Sequence, residues 1–153
     1  VNERRRGRYD RIYQQLRELI EGKSPNLVAA MATIVSVLHA KMEHHFWTGF
    51  YFANGRRELH VGPYQGPLAC QVLRSGVCVD AVRAHSAVVV DDVDAYPGHI
   101  ACDGRSRSEI AVPVGRDGVV TAVLDIDAAE LAQFSQEDIQ PLERILSLLE
   151  PYL

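Results

Sequence analysis

The apolar positions Tyr9, Ile12, Tyr13, Leu16, Leu19 and Ile20 recur at the spacing of one helix face, and Gly22 supplies a stop. A second helix is predicted with Ser24 as N-cap and Pro25 in its first position, where the missing proline N–H is not needed. Leu27, Met31, Ile34, Val35, Leu38 and Met42 form its apolar face. The aromatic run FWTGFYF from Phe46 to Phe52 then reads as a strand, Asn54-Gly55 as a hairpin signal, and Glu58–Val61 as the returning strand, with a third strand around Leu68–Val72. Val77–Arg83 forms a short helix in this reading and Ala87–Val90 a buried strand. The stretch DDVDAYPGHIACDGRSRS that follows is a polar loop, longer than compact domains keep without a function or disorder. Strand Glu109–Val114, turn Arg116-Asp117-Gly118 and strand Val119–Asp127 make a hairpin, and a helix runs from Ser135 to about Leu149, delayed or kinked by Pro141. This order predicts one α+β domain spanning residues 1–153, with helices packed on one face of an antiparallel sheet.

Strand alternation sets Trp47, Gly49 and Tyr51 on one face and Phe46, Thr48, Phe50 and Phe52 on the other. The Trp-Gly-Tyr face packs less efficiently, since the glycine separates two large rings that each carry a polar group. It is either an interior face with satisfied polar tips or an aromatic wall around a small ligand. In VVTAVLDIDA, Asp125 and Asp127 share a face and Leu124 and Ile126 share the other. Two carboxylates side by side either mark a strand end emerging into water or, if buried, form a metal site or a polar pocket in which one holds a proton. Glu109, just before the apolar run Ile110–Val114, reads by itself as a surface residue at a strand start.

Composition changes this picture little: 153 residues with 47% hydrophobic and 24% charged describe an ordinary globular chain. No stretch has the roughly 18 uninterrupted apolar residues of a membrane span, and the first residues lack the apolar h-region of a signal peptide, so a cytoplasmic protein is expected. Net charge is −4, but residues 1–17 hold six arginines against Glu3 and Asp10, a local +4 beside −8 in the remainder. An acidic body with one short basic helix face does not suit a line of phosphates, and nucleic acid is excluded as a partner; the arginines read as a solvated face.

Three cysteines without a secretory signal argue against a structural disulfide framework and leave free, metal-bound or reactive thiols. Cys102 sits in the long loop as HIACDG with His99, Arg105 and Arg107 nearby and Asp103 adjacent, opposing influences on its thiol. Cys70, Cys78, Cys102 and His99 could supply four zinc ligands, but neither C-x7-C nor H-x2-C is a usual ligand spacing. The other five histidines, including His44-His45, form no metal or catalytic spacing and are expected at the surface.

Taken in order, WTGFY, GPYQGPLAC, GVC, GHIACDGRSRSEIAVP and VLDIDA resemble the free methionine-(R)-sulfoxide reductases, single GAF-domain enzymes, over about Tyr9 to Leu149. The specific part is GHIACD, with Glu109 seven residues beyond Cys102 and D-I-D at 125–127. The resemblance implies a GAF fold, with a central antiparallel sheet, N- and C-terminal helices on one face and a loop-covered pocket on the other. It implies that Cys102 is the catalytic cysteine, Cys70 the principal resolving cysteine and Cys78 an auxiliary one, although the segment between Cys70 and Cys78 is shorter than in family members. Trp47, Tyr51, Glu109, Asp125 and Asp127 would line the sulfoxide pocket, with Glu109 also counted among the catalytic groups. The implied reaction is reduction of free methionine-(R)-sulfoxide with no metal or organic cofactor and a thioredoxin-type dithiol as reductant. Closure of loop 91–107 over Trp47 and Tyr51 would leave a chamber for one free amino acid, its ammonium and carboxylate held by backbone groups. Monomer and homodimer both fit the sequence. A non-catalytic GAF sensor for a small molecule, or a redox-sensing module whose output is the disulfide, are the alternatives.

Overall fold

The computed structural model describes residues 2–55 and 57–153. Helix α1, Glu3–Ile20, starts where the Asn2 side chain accepts from Arg5 N, and its face Tyr9, Ile12, Leu16 and Ile20 is buried as the periodicity requires. Helix α2, Leu27–Lys41, begins two residues later than the sequence suggests. Asn26 is its cap, its Oδ1 accepting from Ala29 N at 2.9 Å, so Ser24 and Pro25 belong to the connection and not to the helix.

Six strands follow in the spatial order β3-β2-β1-β6-β5-β4, and every neighbouring pair is antiparallel. They are β1 (Trp47–Ala53), β2 (Leu59–Gln65), β3 (Val72–Leu73), β4 (Val88–Val90), β5 (Ser108–Arg116) and β6 (Val119–Ala128). The expected strand around Leu68–Val72 shrinks to the two residues of β3, and Leu68 is 85% exposed. Pro67 has no N–H for a ladder. The carbonyls of Pro67 and Cys70 instead accept from the Trp47 indole and the Tyr51 hydroxyl, so side chains hold this segment in place of a neighbouring strand.

Phe50, Ile110, Val112, Leu124 and Ile126 face α1, α2 and the C-terminal helix in the main core. The chain closes with a 3-10 turn at Gln136–Asp138, α4 over Ile139–Leu146 and a further 3-10 segment over Ser147–Tyr152. Pro141 stands in the first turn of α4, where its lost donor is tolerated, and so postpones the α-helix without kinking it. Asp138 ties the ends of the chain together: it accepts from Tyr9 Oη at 2.7 Å and from Ser135 N.

The opposite face of the sheet carries a second cluster around Trp47, Tyr51, Ala111 and Val123, covered by the short helix α3, Val77–Ala84. One helix therefore packs on the face where only loops were expected. The His44-His45 pair is also not at the surface: His45 is buried and His44 half-buried, both against Phe134, because the segment joining α2 to β1 passes beneath the chain that leaves β6. Among the described residues, no helix is long and apolar enough to cross a membrane.

Candidate active site

Register assembles the site. Trp47 pairs with Asp127 and Asp127 with Glu109, while Gly49 pairs with Asp125 and Asp125 with Ala111, two adjacent rows across β1, β6 and β5. Paired residues share a face, so Trp47 and Tyr51 of β1, the aspartates of β6 and the first charged side chain of β5 all project from the face away from the main core. Glu109 is 5% exposed and Asp125 6% exposed. The readings of Glu109 as a surface residue and of the aspartates as an emerging strand end both give way, because α3 and the long loop cover these rows.

Gly49 explains the unequal face of β1. The Trp47 ring lies flat across it, and a Cβ at this position would stand 2.5 Å from both the indole and Tyr64 Cβ. Trp47 stacks on Tyr51 at 5.8 Å and on Tyr64 at 5.3 Å between ring centroids. Tyr64 was not a candidate on the sequence, because β2 continues past Val61 through Pro63. Its place in the GPYQG segment, in step with His60 and Gly62, was the available signal.

Trp47 and Tyr51 line a cavity of about 50 Å³, and Tyr64 backs the indole from outside it. Trp47 and Tyr51 form one wall, Glu109, Asp125 and Asp127 the floor, and Gly76, Val77 and Cys78 of the α3 start another wall. Residues His99, Ile100, Cys102 and Asp103 of the long loop stand over it. Ser75 Oγ donates to Gly98 O at 2.9 Å, and Gly76, with φ of 100°, lets α3 begin against that loop. Across the mouth, Cys70 and Cys102 are joined in a disulfide with Cα atoms 5.3 Å apart, 32 residues distant in sequence. Cys78 is not part of it: its buried thiol donates to Glu109 Oε2 at 3.7 Å. The four-residue zinc arrangement considered from sequence is therefore closed off, since two of its thiols are bonded to each other.

Electrostatics follow from burial. Desolvation, reinforced by Asp125 and Asp127, raises the Glu109 carboxyl well above its ordinary value. Desolvation and the neighbouring Asp125 do the same for Asp127; Asp125 is raised by desolvation, against the lowering influence of Glu109, Cys78 and Asp127 beside it. The Cys78 thiol is pushed far up by burial and then by the three carboxylates, so it stays protonated. Asp125 Oδ1 has no hydrogen-bond partner. His99, which the sequence offered as a cationic neighbour of Cys102 and as a possible zinc ligand, brings Nδ1 to 3.9 Å from Glu109 Oε1. The arrangement can hold at least one neutral carboxylic acid beside a pair of bonded cysteines.

A six-stranded antiparallel sheet with terminal helices on one face and a loop-roofed cavity on the other defines a GAF domain, and the family model described as "GAF domain" matches residues 26–151. Free methionine-R-sulfoxide reductase of Escherichia coli is 33% identical over 95% of this chain and 88% of its own length; the Saccharomyces cerevisiae enzyme of that name is 42% identical over 67% of this chain and 60% of its own. The solved free methionine-R-sulfoxide reductase of Neisseria meningitidis, in complex with its substrate, superposes with a TM-score of 0.89 at 40% identity, covering 94% of this chain and 87% of that one. The chain belongs to the free methionine-R-sulfoxide reductase family.

Proposed function

We propose that this protein reduces free L-methionine-(R)-sulfoxide to L-methionine by cysteine chemistry. The observation that carries the reading is the Cys70–Cys102 disulfide spanning a cavity floored by the buried carboxyl groups of Glu109 and Asp125 and the half-buried one of Asp127. In the reduced protein the Cys102 thiolate attacks the sulfoxide while a carboxyl, Glu109 or one of the aspartates, protonates its oxygen, and the methionine S–O bond breaks as that hydroxyl passes to the Cys102 sulfur. Methionine leaves with the sulfur electron pair restored, and oxygen stays on Cys102 as sulfenic acid. The Cys70 thiol then displaces that oxygen as water and forms the disulfide, which a thioredoxin-type dithiol in the cytoplasm returns to two thiols.

Trp47 and Tyr51 offer ring surface to the S-methyl group, and their polar tips are already committed to the backbone at Pro67 and Cys70, so they present carbon and not competing donors. Cys78, fully protonated and bonded to Glu109, acts as a positioning donor for that carboxyl and an auxiliary thiol. The substrate carboxylate meets backbone amides of the loop at 99–102 and of the α3 start, whose N-cap Gly76 brings no side chain of its own. A chamber roofed by this loop suits a single amino acid and gives a polypeptide no exit.

A thioredoxin and NADPH coupled assay tests this with free R-sulfoxide, free S-sulfoxide and N-acetylated R-sulfoxide. Consumption of the first alone is expected. No consumption of any would favour a sensor, single-turnover oxidation alone would favour a redox-sensing module, and equal rates on the acetylated compound would refute the closed chamber. Cys70→Ser should slow recycling by thioredoxin far more than the first turnover, measured as methionine released per protein in the absence of reductant.

A further inference from the structure

The carboxyl cluster has a thiol built into it, that of Cys78 against Glu109. Cys78, Glu109 and Asp125 each bring one ligand atom to within 4.8 Å of the others, and all three residues are buried. We propose that these residues form a zinc-binding site on the cavity floor, filled in competition with the sulfoxide. The independent pointer is Asp125 Oδ1, which is buried without any hydrogen-bond partner, a condition that native proteins resolve with a ligand, water or ion.

Donor chemistry selects the metal. A thiolate is a poor ligand for magnesium or calcium, while zinc accepts one sulfur with carboxylate oxygens in four-coordinate sites and leaves a fourth place for water. Asp127 and His99 line the same cavity, and His99 Nδ1 lies near Glu109 Oε1, so an imidazole or carboxylate also stands by for that place. The site does not draw on the redox pair, because Cys70 and Cys102 are bonded to each other in the structure that presents these ligands. It therefore persists when the enzyme is oxidised. Binding changes no oxidation state: zinc forms bonds to sulfur and oxygen, and the Cys78 proton and any carboxyl protons pass to solvent, so affinity rises with pH.

Zinc at this position would engage the acids that the proposed reaction needs and fill the place of the sulfoxide oxygen. This inhibitory consequence rests on the reductase reading; the metal site does not. Cobalt(II) added to oxidised protein should give a thiolate-to-cobalt charge-transfer band in the near ultraviolet that saturates at one equivalent and is abolished by zinc. Cys78→Ser should remove the band, and Asp125→Asn, close to isosteric, should weaken zinc binding at least ~10-fold against a chromophoric chelator. Absence of the band in the wild-type protein, or an unchanged zinc affinity in folded Asp125→Asn, would overturn the site. Free methionine-(R)-sulfoxide should weaken zinc binding in proportion to its own occupancy, and no competition from a sulfoxide that the protein demonstrably reduces would overturn the inhibition. A band without turnover would sink the reductase reading alone, and turnover without a band the zinc site alone.

Discussion

Glu109 shows how far one residue's meaning depends on its neighbours. As a carboxylate at a strand start it is unremarkable in sequence, yet burial beside Asp125 and Asp127 shifts it toward its neutral form. Glu109→Gln keeps the shape and a hydrogen-bond donor but removes the transferable proton, so kcat should fall by about 10²–10⁴ with the fold intact by circular dichroism. The same substitution should stabilise. The three carboxyls ionise near pH ~4 in the unfolded chain and higher in the folded one, so the folded chain binds more protons across that interval. Their favourable contribution is complete below the unfolded value and is lost as pH rises through the folded values. Denaturant titrations of both proteins should give similar stabilities at pH ~4 and a growing advantage for Glu109→Gln toward pH ~8; a constant difference would refute the buried-acid assignment. His44 contributes in the opposite sense, with burial lowering it to about 4. Its stabilising effect is present above the unfolded value and is lost as pH falls toward about 4, so acid should weaken the packing against Phe134.

Among the elements, β1 joins the two sides of the molecule. Phe50 belongs to the core beneath the helices, whereas Trp47 and Tyr51 build the cavity wall, and Gly49 between them makes room for the indole. Gly49→Ala should cost about 1–3 kcal/mol, since the new methyl meets a stacked ring and a neighbouring Cβ in a packed layer. It should also raise KM for the sulfoxide more than it lowers kcat, because in the proposed reaction the displaced ring would contact the substrate's methyl and not the reacting proton. Chemical denaturation and steady-state kinetics measure the two effects, and an unshifted Trp47 fluorescence with unchanged stability would refute the packing argument. Much of this strand was legible in advance: alternation alone separates its faces. The start of α2 was not, because Ser24 and Asn26 are both acceptable caps by composition and only the turn after Gly22 decides which side chain reaches a free amide.

On the scale of the whole molecule, the Cys70–Cys102 bond fastens the loop after β4 to the segment between β2 and β3, over the open face of the sheet. A crosslink enclosing 32 residues of separation limits the unfolded chain, and its reduction should lower unfolding free energy by about 2–4 kcal/mol. Urea titrations with and without dithiothreitol measure this, with Cys70→Ser expected to match the reduced wild-type protein. Sequence by itself determined which residues can share a face, since the periods of helix and strand are set by local backbone geometry. It therefore separated Trp47, Gly49 and Tyr51 from Phe50, and Asp125 and Asp127 from Ile126, and the motif order around them carried the family resemblance. Tertiary structure decided what those faces meet. The β5–β6 hairpin set Glu109 beside Asp127, register between β1 and β6, far apart in the chain, set Asp127 beside Trp47, and α3 with the long loop covered them. Burial in turn raised the carboxyl values and turned His45 inward, and neither can be read from local spacing. Protonation depends on the surroundings of a side chain in three dimensions, and those are complete only when the last strand and loop are in place.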